Sequence, residues 1–401
     1  MKPFFLTLLM SFITLLSSAQ SYDALWKKEQ KQEQDGKPQS AYAIVQQILQ
    51  KAEAEGHLGQ MLSARLRAAA LHQEWAPDSF FTDVAELEAL RAQATRPEVK
   101  AVYARILAEV YQNNRSRTQA RDLQLTSADM KEWTREQYDS AAIRNWQLSL
   151  ADIPAVAEAK SRDWLPFVVQ DQHSSYFGHD LLHILWQRVR DQRHRIWDMP
   201  EMHMQDYLEA VTAHYRQQGN RQAELLLRLD GVELRQQGQE VLETLRTDFA
   251  DLPLCTEVYL RLLQTDAPDT QKVAWAQDAL KRYPRYDRIG EVRNRLNELQ
   301  RPALAWTGSE VYYPQKEYTW KLEYKNATAA EMVVYRLNED FSEDAMNRSK
   351  QGAAAYIRQH GKPVQTLKPA LHPGAPFETV EDSVRWTAPE VGRYAILYPS
   401  L

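Results

Sequence analysis

Tyr318-Thr-Trp-Lys-Leu-Glu-Tyr-Lys325 alternates apolar and polar side chains without a break, the period of a strand with one buried face. Upstream of Arg301-Pro302 the apolar residues recur every three or four positions instead. Helical and pleated spacing cannot share one packing surface. The switch therefore predicts an all-helical array over residues 20–300 joined to a β-domain over residues 301–401.

Working outward to the amino-terminal side, Ala41, Val45, Ile48 and Ala52 form one helical stripe. Val99, Val102, Tyr103, Ile106 and Val110 form a second, and Met204, Tyr207, Leu208, Val211 and Tyr215 a third. Val273, Ala276, Leu280 and Tyr283, then Ile289, Val292, Leu296 and Leu299, complete the pattern. Breakers fall between them, at Asp35-Gly36-Lys37-Pro38, Ala76-Pro77-Asp78-Ser79, Arg96-Pro97, Gln218-Gly219-Asn220 and Asp266-Ala267-Pro268. Helices from Tyr22 to Leu299 joined by short turns suggest antiparallel pairs stacked as an α-solenoid, with a globular bundle as the alternative. Val273-Ala-Trp-Ala-Gln-Asp-Ala-Leu-Lys-Arg-Tyr-Pro284 looks like the second helix of a tetratricopeptide repeat, although the full 34-residue signature does not recur.

On the carboxyl side the strand candidates are Leu304–Thr307, Tyr318–Lys325, Glu331–Leu337, Val364–Lys368, Phe377–Val384 and Arg393–Tyr398. Asn326-Ala-Thr-Ala-Ala330 reads as a hairpin connection between the second and third. The polar stretch Phe341–His360 is expected to form an inserted helix around Ala353-Ala-Ala355. Short strands at this density fit a β-sandwich.

Met1-Lys2-Pro3, the apolar run Phe4–Leu16 and Ser17-Ser18-Ala19 read as a secretory signal peptide, residues 1–19, cleaved before Gln20. The run spans about 13 residues, short of the roughly 20 that a membrane-spanning helix needs. The chain is thus expected to be exported, to the periplasm, cell envelope or medium, with no membrane span after cleavage. It carries 26% charged residues and a net charge of -5, with Lys and Arg interspersed among Asp and Glu. That arrangement offers no phosphate-binding surface for nucleic acid. A single Cys excludes an internal disulfide framework.

Candidate chemistry is sparse. His179-Asp-Leu-Leu-His183, on a predicted helix, places two imidazoles four apart as metal ligands would be, but Asp180 stands where a zincin needs Glu. The expectation is a pair of structural histidines and no metal. Cys255, in Leu-Pro-Leu-Cys-Thr-Glu-Val258, lies between apolar positions and reads as a small buried residue. There is no Gly-x-Ser-x-Gly elbow, phosphate loop or dinucleotide fingerprint. No catalytic residue, cofactor or cofactor-binding residue is therefore expected, and the chain is read as a non-enzyme. Trp306, Trp320 and Trp386 could stack on sugar rings, yet Trp320 alternates with Tyr318 and Leu322 and belongs first to a core.

The order of parts, together with Val311-Tyr-Tyr-Pro314, Leu322-Glu-Tyr-Lys-Asn326, Val333-Val-Tyr-Arg-Leu337 and Gly392-Arg-Tyr-Ala-Ile-Leu-Tyr398, resembles the amino-terminal end of bacterial alpha-2-macroglobulin family proteins of Bacteroidetes type. The resemblance implies helical repeats followed by a first macroglobulin-like β-sandwich. Members of the family carry a bait region and often a thioester in Cys-x-Glu-Gln; here Cys255-Thr-Glu-Val258 has Val in place of the acyl-donating Gln. A chain ending at Leu401 is expected to lack the bait segment, as a truncated form or a stand-alone module. The expected function is a non-catalytic scaffold or binding protein whose partner is an envelope protein, either a protease or the remaining macroglobulin domains. The alternative is a peptide- or glycan-binding envelope module of tetratricopeptide type.

Overall fold

A computed structural model describes residues 21–115, 129–191, 204–309, 311–372 and 374–398. The expected signal peptide lies outside them. The described residues group into two compact units, one up to Arg235 and one from Gln236 onward.

In the first unit the helices are α1 Tyr22–Gln34, α2 Pro38–Glu55, α3 Leu58–Trp75, α4 Ser79–Gln93, α5 Pro97–Asn114, α6 Arg135–Ser149, α7 Ile153–Glu158, α8 Leu181–Asp191, α9 Met204–Gln217 and α10 Arg221–Leu234. From α1 to α6 each packs on its neighbour in sequence, which gives a repeat-like array. The breakers act as read from the sequence. Gly36 and Gly219 close helices in the left-handed region, Pro38 and Pro97 open them, and the Asn220 side chain caps α10 by accepting from Ala223 N–H. The stripe Ala41, Val45, Ile48 and Ala52 is fully buried.

The unbroken helical run expected from Tyr22 to Leu299 is interrupted between α7 and α8. Residues 159–180 form two short 3-10 turns, Ser161–Trp164 and Ser174–Phe177, and a bridge between Lys160 and Asp180. Polar residues, Pro166 and Gly178 deny this stretch a helical stripe, but Trp164, Val168 and Phe177 still anchor it in the core. It lies so close to α3 that a Cβ on Gly59 would sit 2.0 Å from the Leu165 carbonyl oxygen.

The second unit begins with α11 Gln239–Asp248, α12 Thr256–Leu262, α13 Asp269–Arg282 and α14 Ile289–Gln300. The switch of period falls where it was expected, since α14 ends at Gln300 and β1 begins at Ala303. The strands are β1 Ala303–Thr307, β2 Glu317–Lys325, β3 Met332–Leu337, β4 Gly361–Leu367, β5 Val380–Thr387 and β6 Tyr394–Leu397. Two helices, α15 Glu343–Asn347 and α16 Ala353–Gln359, occupy the predicted insertion. The strands form two three-stranded antiparallel sheets, β1-β2-β5 and β4-β3-β6, neither of which closes into a barrel. Trp320, Leu322, Tyr324 and Val384 of one sheet meet Met332, Val334 and Leu367 of the other in a single core.

The expected hairpin at Asn326–Ala330 is not one. β2 and β3 belong to different sheets, and the connection crosses between them with Ala327 and Ala330 buried. Asn326 adopts φ +51, and its amide donates to the Leu299 carbonyl at the end of α14, 2.9 Å away. Lys325 pairs with Asp269 of α13 beside it. The composition is that of a turn, but Asn326 engages a helix terminus and the chain does not reverse into a neighbouring strand.

Gly59→Ala should lower the thermal midpoint of the first unit, at a cost of about 1 to 3 kcal/mol or more, because the obstacle is backbone. Gly290→Ala in α14 meets open space and should stabilise by up to about 1 kcal/mol. Thermal melts of the two variants against the parent check both signs.

Candidate functional site

The inner face of the first sheet is built by alternation. Tyr318, Trp320, Leu322 and Tyr324 of β2 point inward, while Glu317, Thr319, Lys321 and Glu323 face solvent. The register sets Tyr318 opposite Trp386 and Trp320 opposite Val384, so the three tryptophans converge. Trp320 and Trp386 stack with centroids 4.6 Å apart, and Trp306 of β1 lies 4.8 Å from Trp320.

Trp320 is fully buried, and its indole N–H needs a partner. The loop between β1 and β2 folds back to supply one: the Tyr312 hydroxyl accepts that bond at 2.7 Å. Tyr312 also meets Trp386 edge-on at 4.7 Å. A Cβ on Gly308 would lie 2.4 Å from the Tyr312 hydroxyl, so only glycine allows this approach. The return path is held further by Tyr313 N–H donating to the Tyr318 hydroxyl at 2.8 Å, and by Gln315 N–H donating to the Ala388 carbonyl.

Between these rings and the other sheet, represented by Leu337, Tyr394 and Ile396, lies a cleft of about 700 Å³. Val311 and Val391 line it and are 82% and 80% exposed. Trp386 is only 4% exposed, and its indole N–H has no hydrogen-bond partner among the described residues. An orphan buried donor costs about 1 to 3 kcal/mol. Two exposed ion pairs flank the cleft, Arg393 with Glu343 at 3.4 Å and Arg336 with Glu390 at 3.5 Å. Such pairs contribute little to stability. The cleft offers aromatic and aliphatic surface plus one unused donor, which suits binding better than proton transfer or nucleophilic attack.

The other residues singled out from the sequence are placed differently. His179 and His183 do not share a helical face, because α8 starts only at Leu181 and His179 sits exposed at φ +54. The His179 carbonyl accepts from Ser161 N–H and Ser161 Oγ–H. His183 is buried and stacked on Phe177 at 3.8 Å. Asp180, where a zincin would have Glu, accepts from His183 N–H at the start of α8 and from the Tyr215 hydroxyl. Among the described residues no group of three His, Cys, Asp or Glu is placed to hold a metal ion. Cys255 ends a 3-10 turn and is fully buried, and burial pushes its thiol up to about 11.

Sequence reading found the tryptophans but not the cleft. Tyr312 and Tyr394 appear only inside short tyrosine-bearing stretches, and their convergence depends on long-range pairings, such as Arg336 with Tyr394 and Tyr318 with Trp386, that no local pattern encodes. No protein-family model, curated protein or solved structure matches this chain.

Burial pushes His183 down to about 4, against the opposing charge of Asp171, and pushes Asp180 up to about 6. Asp171 itself is disfavoured as an anion by burial, but the Ser174 hydroxyl and the imidazoles of His183 and His173 outweigh this and draw its pKa down. Because the unfolded chain protonates His183 first, the folded state loses stability as pH falls from about 6.5 toward 4, by up to about 3 kcal/mol. Asp180 contributes the opposite slope between about 6 and 4, so the contribution of His183 must be read as a difference. Denaturant melts of His183→Gln and the parent at pH 7 and pH 4.5 should show the parent losing more stability on acidification.

Proposed function

We propose that the protein is a non-catalytic binding protein that acts through contact surfaces, with the aromatic cleft of the second unit as its principal site. The observation that carries this reading is the orphan Trp386 indole, buried in a cleft whose mouth is formed by exposed Val311 and Val391. Apolar side chains held out in water beside an unused donor are features of a surface that a partner covers.

The two sheets form a macroglobulin-like sandwich, and the helices ahead of them form a tetratricopeptide-like solenoid, similar to the front end of a bacterial alpha-2-macroglobulin. In support stand the order of helices then sheets and the tyrosine-bearing loop that turns back over the first sheet. The chain is exported and meets a protein partner in the cell envelope. A glycan platform is disfavoured because the Trp320 ring is occupied by Trp306 and Trp386 rather than offered flat to solvent. The chain does not acylate a protease through Cys255, whose thiol is buried and whose neighbour at the acyl-donor position is Val258.

Titration of the full chain with peptides bearing aromatic residues should shift its tryptophan emission saturably. Trp306→Ala should abolish the shift and His179→Ala should leave it unchanged. Equal responses from both variants would remove the cleft from the reading. Incubation with a broad-specificity protease should yield ordinary fragments and no slow-migrating adduct on denaturing gels.

A further inference from the structure

We infer that the occupant of the cleft is an extended peptide segment that adds as a strand to the free edge of β6 and sends a large apolar or aromatic side chain between the sheets. This rests on the reading of the cleft as the binding site and specifies what fills it.

β6 ends the order β4-β3-β6, and among the described residues no strand pairs with its other side. The Leu337 N–H donates to the Arg393 carbonyl at 2.8 Å, which makes 337 and 393 a hydrogen-bonded pair. In an antiparallel ladder such pairs alternate with non-bonded ones. The register Tyr335 with Ala395 and Val333 with Leu397 therefore continues the bonded set. It follows that the backbone N–H and C=O of Tyr394 and Ile396 point away from β3, toward the open edge. The side chains of these same two residues line the cleft with Trp306 and Trp386.

An incoming strand meets that edge with its own N–H and C=O groups, and its alternate side chains fall toward the aromatic rings. Its oxygen atoms also supply the acceptor that the Trp386 indole lacks. Val311 and Val391 close over the inserted side chain from the mouth. Lys316, adjoining the cleft through its carbonyl bond to Ala388 N–H, stacks over Tyr313 and forms no ion pair among the described residues. The segment accordingly carries an acidic residue toward that end. β6 is four residues long, so backbone bonds alone are few, and the side chain in the cleft provides the selection. An oligosaccharide has no regular row of amides to match this edge.

The test uses the full chain and a probe peptide of about nine residues with Phe at its centre, Thr and Val alternating around it and Asp at one end. A second probe is N-methylated at the peptide nitrogens that would face β6. Saturable quenching of tryptophan emission by the first probe is expected, with affinity lower by about tenfold or more for the methylated probe, which leaves the protein untouched. Ile396→Pro removes the outward-facing N–H together with the side chain that lines the cleft, so Ile396→Ala, which keeps the N–H, is its control: the Pro variant should bind the first probe more weakly than the Ala variant while circular dichroism is unchanged. Equal binding of both probes, or equal binding of the first probe by the Pro and Ala variants, would refute strand addition and leave the cleft as a binding site. Quenching by cellohexaose but by neither peptide would also refute it. If no probe perturbs the tryptophans at millimolar concentration, the proposed function falls as well.

Discussion

The hydrogen bond from the buried Trp320 indole to the Tyr312 hydroxyl is the constraint on which the β-region is organised. A fully buried donor must be satisfied, and the backbone of β2 itself is committed to its ladders with β1 and β5. The partner must come from a loop, so the segment after β1 is folded back over the sheet. That return brings the Tyr312 ring edge-on to Trp386 and requires glycine at 308. The apolar residues next to Tyr312 are consequently held outward instead of in the core.

Much of this architecture was legible in the sequence. The alternation from Tyr318 to Lys325 is local, and β2 follows it with one residue added at the front. Helix breaks at Gly36, Pro97 and Gly219 were legible for the same reason: backbone freedom and a missing N–H act within a few residues. The failures share a different cause. Asn326–Ala330 has the composition of a hairpin loop, but whether a turn joins neighbours in one sheet or crosses to another is decided by which faces bury together. Likewise the four-residue spacing in His179-Asp-Leu-Leu-His183 reads as one helical face, whereas the helix is started by Asp180 accepting the His183 N–H. The cap was visible as a residue type, and its role was masked by the metal-like spacing around it.

In the helical unit, Asp180 links three elements. Its carboxylate starts α8, holds the Tyr215 hydroxyl of α9, and belongs to the segment that bridges back to Lys160. Burial opposes its charge and also opposes a charge on His183 three residues later. A helical array built only from sequential pairs has no need of such a node. It occurs where the array is broken by the 3-10 segment, and it replaces the stripe packing that the segment cannot provide.

β2 also has a mechanical character. Its first residues run beside Tyr312 and Trp386, and its last residue, Lys325, pairs with α13 just before Asn326 grips the final carbonyls of α14. Nine residues of extended chain span about 30 Å and scarcely lengthen under tension, since the backbone is already near full reach. Flanked by β1 and β5, the strand would have to shear two ladders at once to slip. Tension applied at the tryptophan end is therefore transmitted lengthwise to the helix terminus as in a stiff rod.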